Sequence, residues 1–452
     1  MNRREFVALG ATGAAALALS PRLVRAAAPL SDAEIEARVA AILPRLTLKE
    51  KVWLMSGRGM ENLPEQAKGY GLATFNTPGL PKEGIPGVRF IDGPRGINFK
   101  GSTCFPAAMS RGASWDAGLC ERVGEAIGFE ARAGGANYWG GLCQNVLRHP
   151  AGGRAQETFG EDTVHIGAMA VAHLRGAQRH VMACAKHYCC NNNEDSRFYV
   201  DVKIDERTLR EIYLPHFKRC VDAGVASVMS AYNDVNGQLC GHNQHLLRDI
   251  LKGDWGFKGF VVSDFSMGVE ATVPAARAGL DIEMPETVYF GQRLLFAVKA
   301  GLVPTAMIDE AATRIIRTQL KFIHLEDEKL DRAKIAGPEH AALAREAAAK
   351  GMVLLKNQGG LLPLHSKSVK KLAVLGPLAV TPNIGDRGSS VVRPPYVVTP
   401  LEGLKARLPG VELAYEEGKD GAALKRACAG ADAVIVFAGL TWKDEGEGGS
   451  PF

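Results

Sequence analysis

Chemically able side chains recur at one kind of position in this sequence, just past the end of a short apolar run. Asp92 follows Val88–Ile91, Arg148 and His149 follow Gly141–Leu147, and Lys186 and His187 follow Val181–Ala185. Tyr232 and Asn233 follow Ser227–Ala231, Asp264 follows Gly259–Ser263, and Glu283 lies in Asp281–Met284. Any one of these could be an ordinary loop residue. A series of them has a common cause if the runs are strands whose carboxyl ends converge on one face. Acids beside cationic and phenolic donors suit acid–base and hydrogen-bonding chemistry. Metal chemistry is not expected, because His149 and His187 have no third ligand at a suitable spacing. The pair Cys189-Cys190 is not spaced like a zinc site either. No cofactor is expected. An isomerase or aldolase on the same scaffold lacks support, since there is no glycine-rich phosphate loop late in the pattern and no isolated strand-end lysine.

These residues must be positioned by the elements between them. Helical segments Cys120–Ala133, His165–Arg179, Glu206–Ala223 and Asn243–Lys252 alternate with the apolar runs. Strand, helix, strand over this length predicts a parallel sheet, buried on both faces. The strand-end series favours a TIM-like (β/α) barrel over a doubly wound sheet. Ser31–Val52 predicts one long helix, with Ser31 and Glu34 as a capping box. The barrel pattern ends with the helix Ala311–Phe322. We read residues 29–325 as the barrel and 326–338 as a charged linker. Residues 339–452 then form a partial α/β sandwich domain, with helix Glu339–Met352 and strands at Lys371–Leu375, Glu412–Tyr415 and Ala433–Ala438. This second unit is expected to be incomplete at its C-terminal end.

Composition sets the wider class. Of the 452 residues, 46% are hydrophobic and 23% charged, as in a soluble globular enzyme. The net charge of +5 is small and its cations are scattered, so nucleic acid is not an expected partner. Arg3-Arg4 precedes the apolar stretch Phe6–Leu19 and the small residues Ala26-Ala27-Ala28. That order predicts a cleaved signal over residues 1–28, of the twin-arginine type, and a periplasmic or secreted protein. The apolar stretch is short for a spanning helix, so no stable membrane insertion is expected after cleavage. Export of an already folded chain accounts for 9 cysteines, an odd number, without a disulfide framework.

Several of these segments together resemble glycoside hydrolase family 3. Leu247 to Ser266, with Asp254-Trp255-Gly256-Phe257 and Val261-Val262-Ser263-Asp264-Phe265, resembles the family's nucleophile signature; Phe265 stands where many members have tryptophan. Asp92-Gly93-Pro94-Arg95-Gly96 resembles the segment whose Asp binds a sugar hydroxyl. Asn145 to Asp162 resembles the segment that supplies a sugar-binding arginine, here Arg154. Lys186-His187-Tyr188 resembles the pair that grips neighbouring hydroxyls, and Met229 to Asn233 resembles the strand whose tyrosine, Tyr232, sits beside the nucleophile. The motifs occur in the family's order from about Leu46 to Leu440.

The resemblance implies a retaining β-glucosidase-like enzyme acting on terminal β-D-glycosides of oligosaccharides or other glycosides. Retaining hydrolysis needs one carboxylate to attack the anomeric carbon and one carboxylic acid to protonate the leaving oxygen. Asp264 is the implied nucleophile. Asp92, Arg154, Lys186, His187 and Tyr232 are the implied sugar contacts, with Phe265 as an apolar wall. The acid/base is implied in the loop after Ala433–Leu440, where Glu445 precedes Gly446 and Glu447 precedes Gly448; Glu445 is the first choice and Glu447 competes. Gly385 to Ser390 resembles a small-residue loop facing the sugar pocket. The N-acetylglucosaminidase branch takes its acid from a His-Asp pair after Lys-His, and Asn191 to Asp195 has no such histidine. The alternative is a catalytically poor, carbohydrate-binding remnant.

Overall fold

The structure is a computed structural model that describes residues 28–59, 70–365, 367–385 and 388–448. The signal-type segment of residues 1–28 lies almost wholly outside the described residues. Six strands form one sheet in the order Phe75–Asn76, Arg89–Ile91, Tyr138–Cys143, Met182–Tyr188, Ser227–Ser230, Phe260–Val262. From Arg89–Ile91 onward every pairing is parallel. Bridges then run from Val262 to Ile282 and from Glu283 to Ser56. Arg58 N reaches Asn76 O at 2.8 Å, which returns the ring to its first strand and closes a barrel.

The expected uniformly parallel order fails at that first strand. Phe75–Asn76 pairs antiparallel with Arg89–Ile91. Pro78, Pro81 and Pro86 fill the connection, which holds only a single 3-10 turn, Pro81–Glu83. Proline cannot continue a helix, and a connection this short reverses the chain instead of crossing over. The predicted helix Ser31–Val52 is likewise two helices, Asp32–Ile42 and Leu48–Leu54. Pro44 lies between them, and Thr47 with Glu50 forms a second capping box.

All residues of Tyr138–Cys143 and Met182–Tyr188 are buried, as expected of strands covered on both faces. Helices Ala117–Ala133 and Thr163–Ala177 cover them, started by Asp116 and Asp162 as N-caps. They cross closely because glycine leaves room: a Cβ at Gly176 would stand 2.0 Å from Glu121 O. Cys143, Cys184 and Cys220 are buried and free, packing as small core residues.

The second unit has a central strand Lys371–Leu375 flanked by Glu412–Glu416 and Ala433–Val436, all parallel. Its core is small, built on Val369, Leu372, Val374, Ala379 and Leu401. Helix Pro338–Lys350, read from sequence with this unit, packs on the barrel instead. Ala347 is buried in the barrel core, Glu346 pairs with Arg122, and His340 Nδ1 lies 2.7 Å from Glu130. The two units meet where Asn98 Nδ2 donates to Ser389 O at 3.0 Å and Val391 O at 2.9 Å. Among the described residues no helix is long and apolar enough to cross a membrane.

Candidate active site

A cavity of about 270 Å³ opens at the carboxyl ends of the barrel strands, and the second unit forms part of its wall. Asp92 reaches it one residue past Arg89–Ile91, Asp264 two residues past Phe260–Val262, and Tyr232 two residues past Ser227–Ser230. Lys186 and His187 reach it from the last residues of strand Met182–Tyr188, and Arg154 comes from the loop after Tyr138–Cys143. Gly388 and Ser389 contribute from the small-residue loop.

Asp92 is held from both sides. Its Oδ1 accepts from Lys186 Nζ at 2.7 Å and its Oδ2 from Tyr70 Oη at 2.7 Å. Burial raises the carboxyl's pKa, against the pull of Lys186. Burial also opposes charge on Lys186, but its neighbours together, Asp92 first among them, outweigh it and keep the ammonium charged. A fixed cation and a fixed acid side by side form a donor–acceptor pair that can grip adjacent hydroxyls.

Asp264 is placed differently. Its Oδ1 accepts from Phe265 N at 2.8 Å, whereas its buried Oδ2 has no hydrogen-bond partner. Burial pushes its pKa up to about 6, opposed by Lys186, Arg197 and Arg154. A carboxylate oriented through one oxygen can serve as a nucleophile through the other. His187 Nε2 stands 3.6 Å from that Oδ2, but burial and the cations Arg154 and Lys186 hold the imidazole neutral. Tyr232 Oη donates to Phe265 O at 2.9 Å, fixing the backbone next to Asp264. The Phe265 ring packs 5.0 Å from Phe75 and 4.8 Å from Phe90, so one side is locked in the barrel's aromatic cluster and the other faces the cavity.

Arg154 grips Glu157 through Nε at 3.0 Å and Nη2 at 2.8 Å, and Nη2 also donates to Ser389 Oγ at 2.9 Å. It thereby ties barrel to second unit at the cavity wall.

The two candidate acids separate here. Glu445 is half-buried outside the cavity, its Oε1 accepting from Gln156 N at 2.8 Å. Glu447 lines the cavity instead. It accepts from Ser389 N at 2.6 Å and lies 3.1 Å from Arg197 Nη1 and 3.8 Å from Arg154 Nη1. The preference for Glu445 is therefore corrected: only Glu447 has a cradle of donors on the cavity side of the loop. Burial works against its charge, but Arg154 and Arg197 outweigh it and hold its pKa well below the usual carboxylate range.

Four strand-end residues of the sequence series, Arg148, His149, Asn233 and Glu283, do not line the cavity. Glu283 accepts backbone N–H bonds from Val288, Tyr289 and Phe290, at 3.0, 2.8 and 2.6 Å, and so organises a loop. Arg148 reaches Tyr213 at the surface. Conversely, Tyr70, Glu194 and Arg197 were not singled out from sequence. The i,i+3 spacing of Glu194 and Arg197, soon after Lys186-His187, is the signal that could have found two of them. No cluster of three or more His, Cys, Asp or Glu is placed to hold a metal among the described residues.

The Glycosyl hydrolase family 3 N terminal domain profile matches residues 59–318, over half of the chain. The chain belongs to glycosyl hydrolase family 3. The family's C-terminal domain profile matches residues 352–450. Beta-glucosidase B of Emericella nidulans is 39% identical over 396 residues, 84% of this chain and 45% of that protein. Thermostable beta-glucosidase B of Acetivibrio thermocellus is 36% identical over 437 residues, 91% of this chain and 55% of that protein. Among solved structures, beta-glucosidase 3B from Thermotoga neapolitana in complex with glucose superposes with a TM-score of 0.77 at 33% identity, covering 86% of this chain and 56% of that one. Beta-D-glucoside glucohydrolase from Trichoderma reesei gives 0.82 at 30% identity, covering 90% and 60%. The chain thus spans about half the length of the curated relatives it matches. Its barrel followed by a parallel α/β unit is the family 3 arrangement of these structures.

Proposed function

We propose that this family 3 chain hydrolyses terminal β-D-glucosides with retention of configuration, through a covalent glycosyl-enzyme on Asp264. The observation that carries this reading is Asp264 at the strand end in the cavity wall, its buried Oδ2 without a hydrogen-bond partner while Oδ1 is fixed by Phe265 N. In the first step Oδ2 bonds to the anomeric carbon as the glycosidic C–O bond breaks, and Glu447 gives its proton to the departing oxygen. In the second step water attacks the anomeric carbon, Glu447 takes the water's proton, and the Asp264 ester bond breaks. Asp92, Lys186, Arg154 and His187 hold the sugar's hydroxyls, and Phe265 covers an apolar face. The relatives' names, all beta-glucosidases, support glucose as the sugar.

The test is proton NMR of early turnover on an aryl β-glucoside, where β-glucose should appear first. First-formed α-glucose would overturn retention. We also propose export by the twin-arginine route to the periplasm or medium. Cell fractionation tests this, with retention of full-length chain in the cytoplasm as the contrary result. We propose a glycoside, not a nucleic acid, as the ligand of this cavity.

A further inference from the structure

Arg197 is 2% exposed and lines the cavity beside Tyr232. Its guanidinium carbon lies 4.6 Å from the ring centre of Phe198 and 4.9 Å from that of Tyr232, so two aromatic faces fix its plane. One atom, Nη1, is 3.0 Å from Glu194 Oε1 and 3.1 Å from Glu447 Oε1. The first carboxylate belongs to the barrel and the second to the second unit. Glu194 Oε1 also accepts from Gly448 N at 2.9 Å. Behind it Gly153 leaves no spare room, because a Cβ there would fall 2.4 Å from Glu194 Cβ. Glu194 therefore holds the backbone just after Glu447, and Arg197 holds its carboxylate.

We propose that Glu194 and Arg197 are positioning residues for Glu447, and that Glu194 and Glu447 titrate as one pair across the shared guanidinium. This rests on the reading of Glu447 as the acid/base. Arg197 and Arg154 alone would keep Glu447 ionised and useless as an acid. A second buried carboxylate on the same nitrogen offsets that cation. Two acids so close do not both ionise freely, and their titration steps belong to the pair. The other groups facing the pair include Arg154 and the N–H groups of Ser389 and Gly448, which favour charge, and Asp92, Tyr70 and Tyr232 across the cavity, of which the Asp92 carboxyl opposes it. Burial pushes Glu194 up to about 7 while Arg154 and Arg197 hold Glu447 low, so in the free site the pair's proton rests chiefly on Glu194. Glu194 thus keeps one proton on the pair near neutral pH that Arg197 and Arg154 would otherwise expel.

The test compares the full chain with Glu194→Gln, using an alkyl and a dinitrophenyl β-glucoside across pH. The amide still accepts from Gly448 N but carries no charge. The basic limb of kcat/KM on the alkyl glucoside should move down by about one pH unit or more, with about a tenfold loss at pH 7. The dinitrophenyl substrate, which needs little acid help, should change less than about twofold. Arg197→Lys keeps a cation without the planar bridge and should show the same split between leaving groups. Equal losses on both substrates with an unmoved limb, in either variant, would mean a merely structural role and overturn the proposal. Glu447→Ala with added azide separates the two layers. If azide rescues Glu447→Ala but Glu194→Gln leaves the limb in place, the pairing fails and the acid assignment stands. If azide does not rescue, the acid assignment falls and the pairing falls with it.

Discussion

Replacing Asp264 by asparagine should abolish turnover and stabilise the fold at neutral pH. The folded carboxyl titrates at about 6 rather than 3.8, chiefly because it is buried with Oδ2 unengaged. A shift of about two units corresponds to roughly 3 kcal/mol of destabilisation by the charged form. The folded pKa is raised, so the folded state binds the extra proton between these two values. The penalty is complete above about pH 6, fades as the pH falls through 6, and is gone below about pH 4. Asparagine keeps the acceptor for Phe265 N and carries no charge. Urea unfolding of wild type and variant at pH 8, 6 and 4.5 should therefore show a gain of up to about 3 kcal/mol at pH 8 that falls to about 1 kcal/mol at pH 4.5. No gain at pH 8, or a gain independent of pH, would refute the claim that burial of this charge sets its pKa.

Three further outcomes follow from the same geometry. Glu447→Ala should lose most activity on alkyl glucosides, keep more on nitrophenyl glucosides, and be rescued by azide; Glu445→Ala should do none of these, and steady-state kinetics with both substrates decides it. Lys186→Ala and Asp92→Ala should each lower kcat/KM by roughly ten- to a hundredfold, since a charged hydrogen bond is worth about 1.5–3 kcal/mol; an unchanged value in either rules out its hold on the sugar. The acid limb of kcat/KM should fall near pH 6, where Asp264 protonates, and Lys186→Met should move it upward because Lys186 lowers that pKa; a downward shift would contradict the charge assignment.

The barrel and much of its site were legible because local rules sufficed. Val261–Phe265 reads as a buried strand ending in an acid, and Lys186-His187 ends a run whose burial on both faces follows from its composition. The antiparallel first strand was not legible, since Phe75–Asn76 is two residues long and the three prolines act by denying a crossover helix. The split of Ser31–Val52 was written in Pro44 and in the second capping box at Thr47, a signal weaker than the apolar periodicity around it. Helix Pro338–Lys350 could not be assigned to the barrel from its own pattern. Its partners Glu130 and Arg122 lie some two hundred residues earlier. Glu445 and Glu447 look alike in sequence. What separates them is a backbone N–H at Ser389 and the guanidinium of Arg197, both distant along the chain. Nothing in the sequence around Arg197 marks it for the site, because only its partners reveal that it is buried.

The most direct test of the account is to trap the intermediate. The chain is incubated with a 2-deoxy-2-fluoro β-glucoside bearing a dinitrophenyl leaving group, which slows release of the sugar from the enzyme. After digestion, mass spectrometry should find one fluoroglucosyl group on the peptide containing Val261–Phe265, with fragmentation placing it on Asp264. A label on any other acid, or turnover of natural β-glucosides by Asp264→Ala, would contradict the assignment.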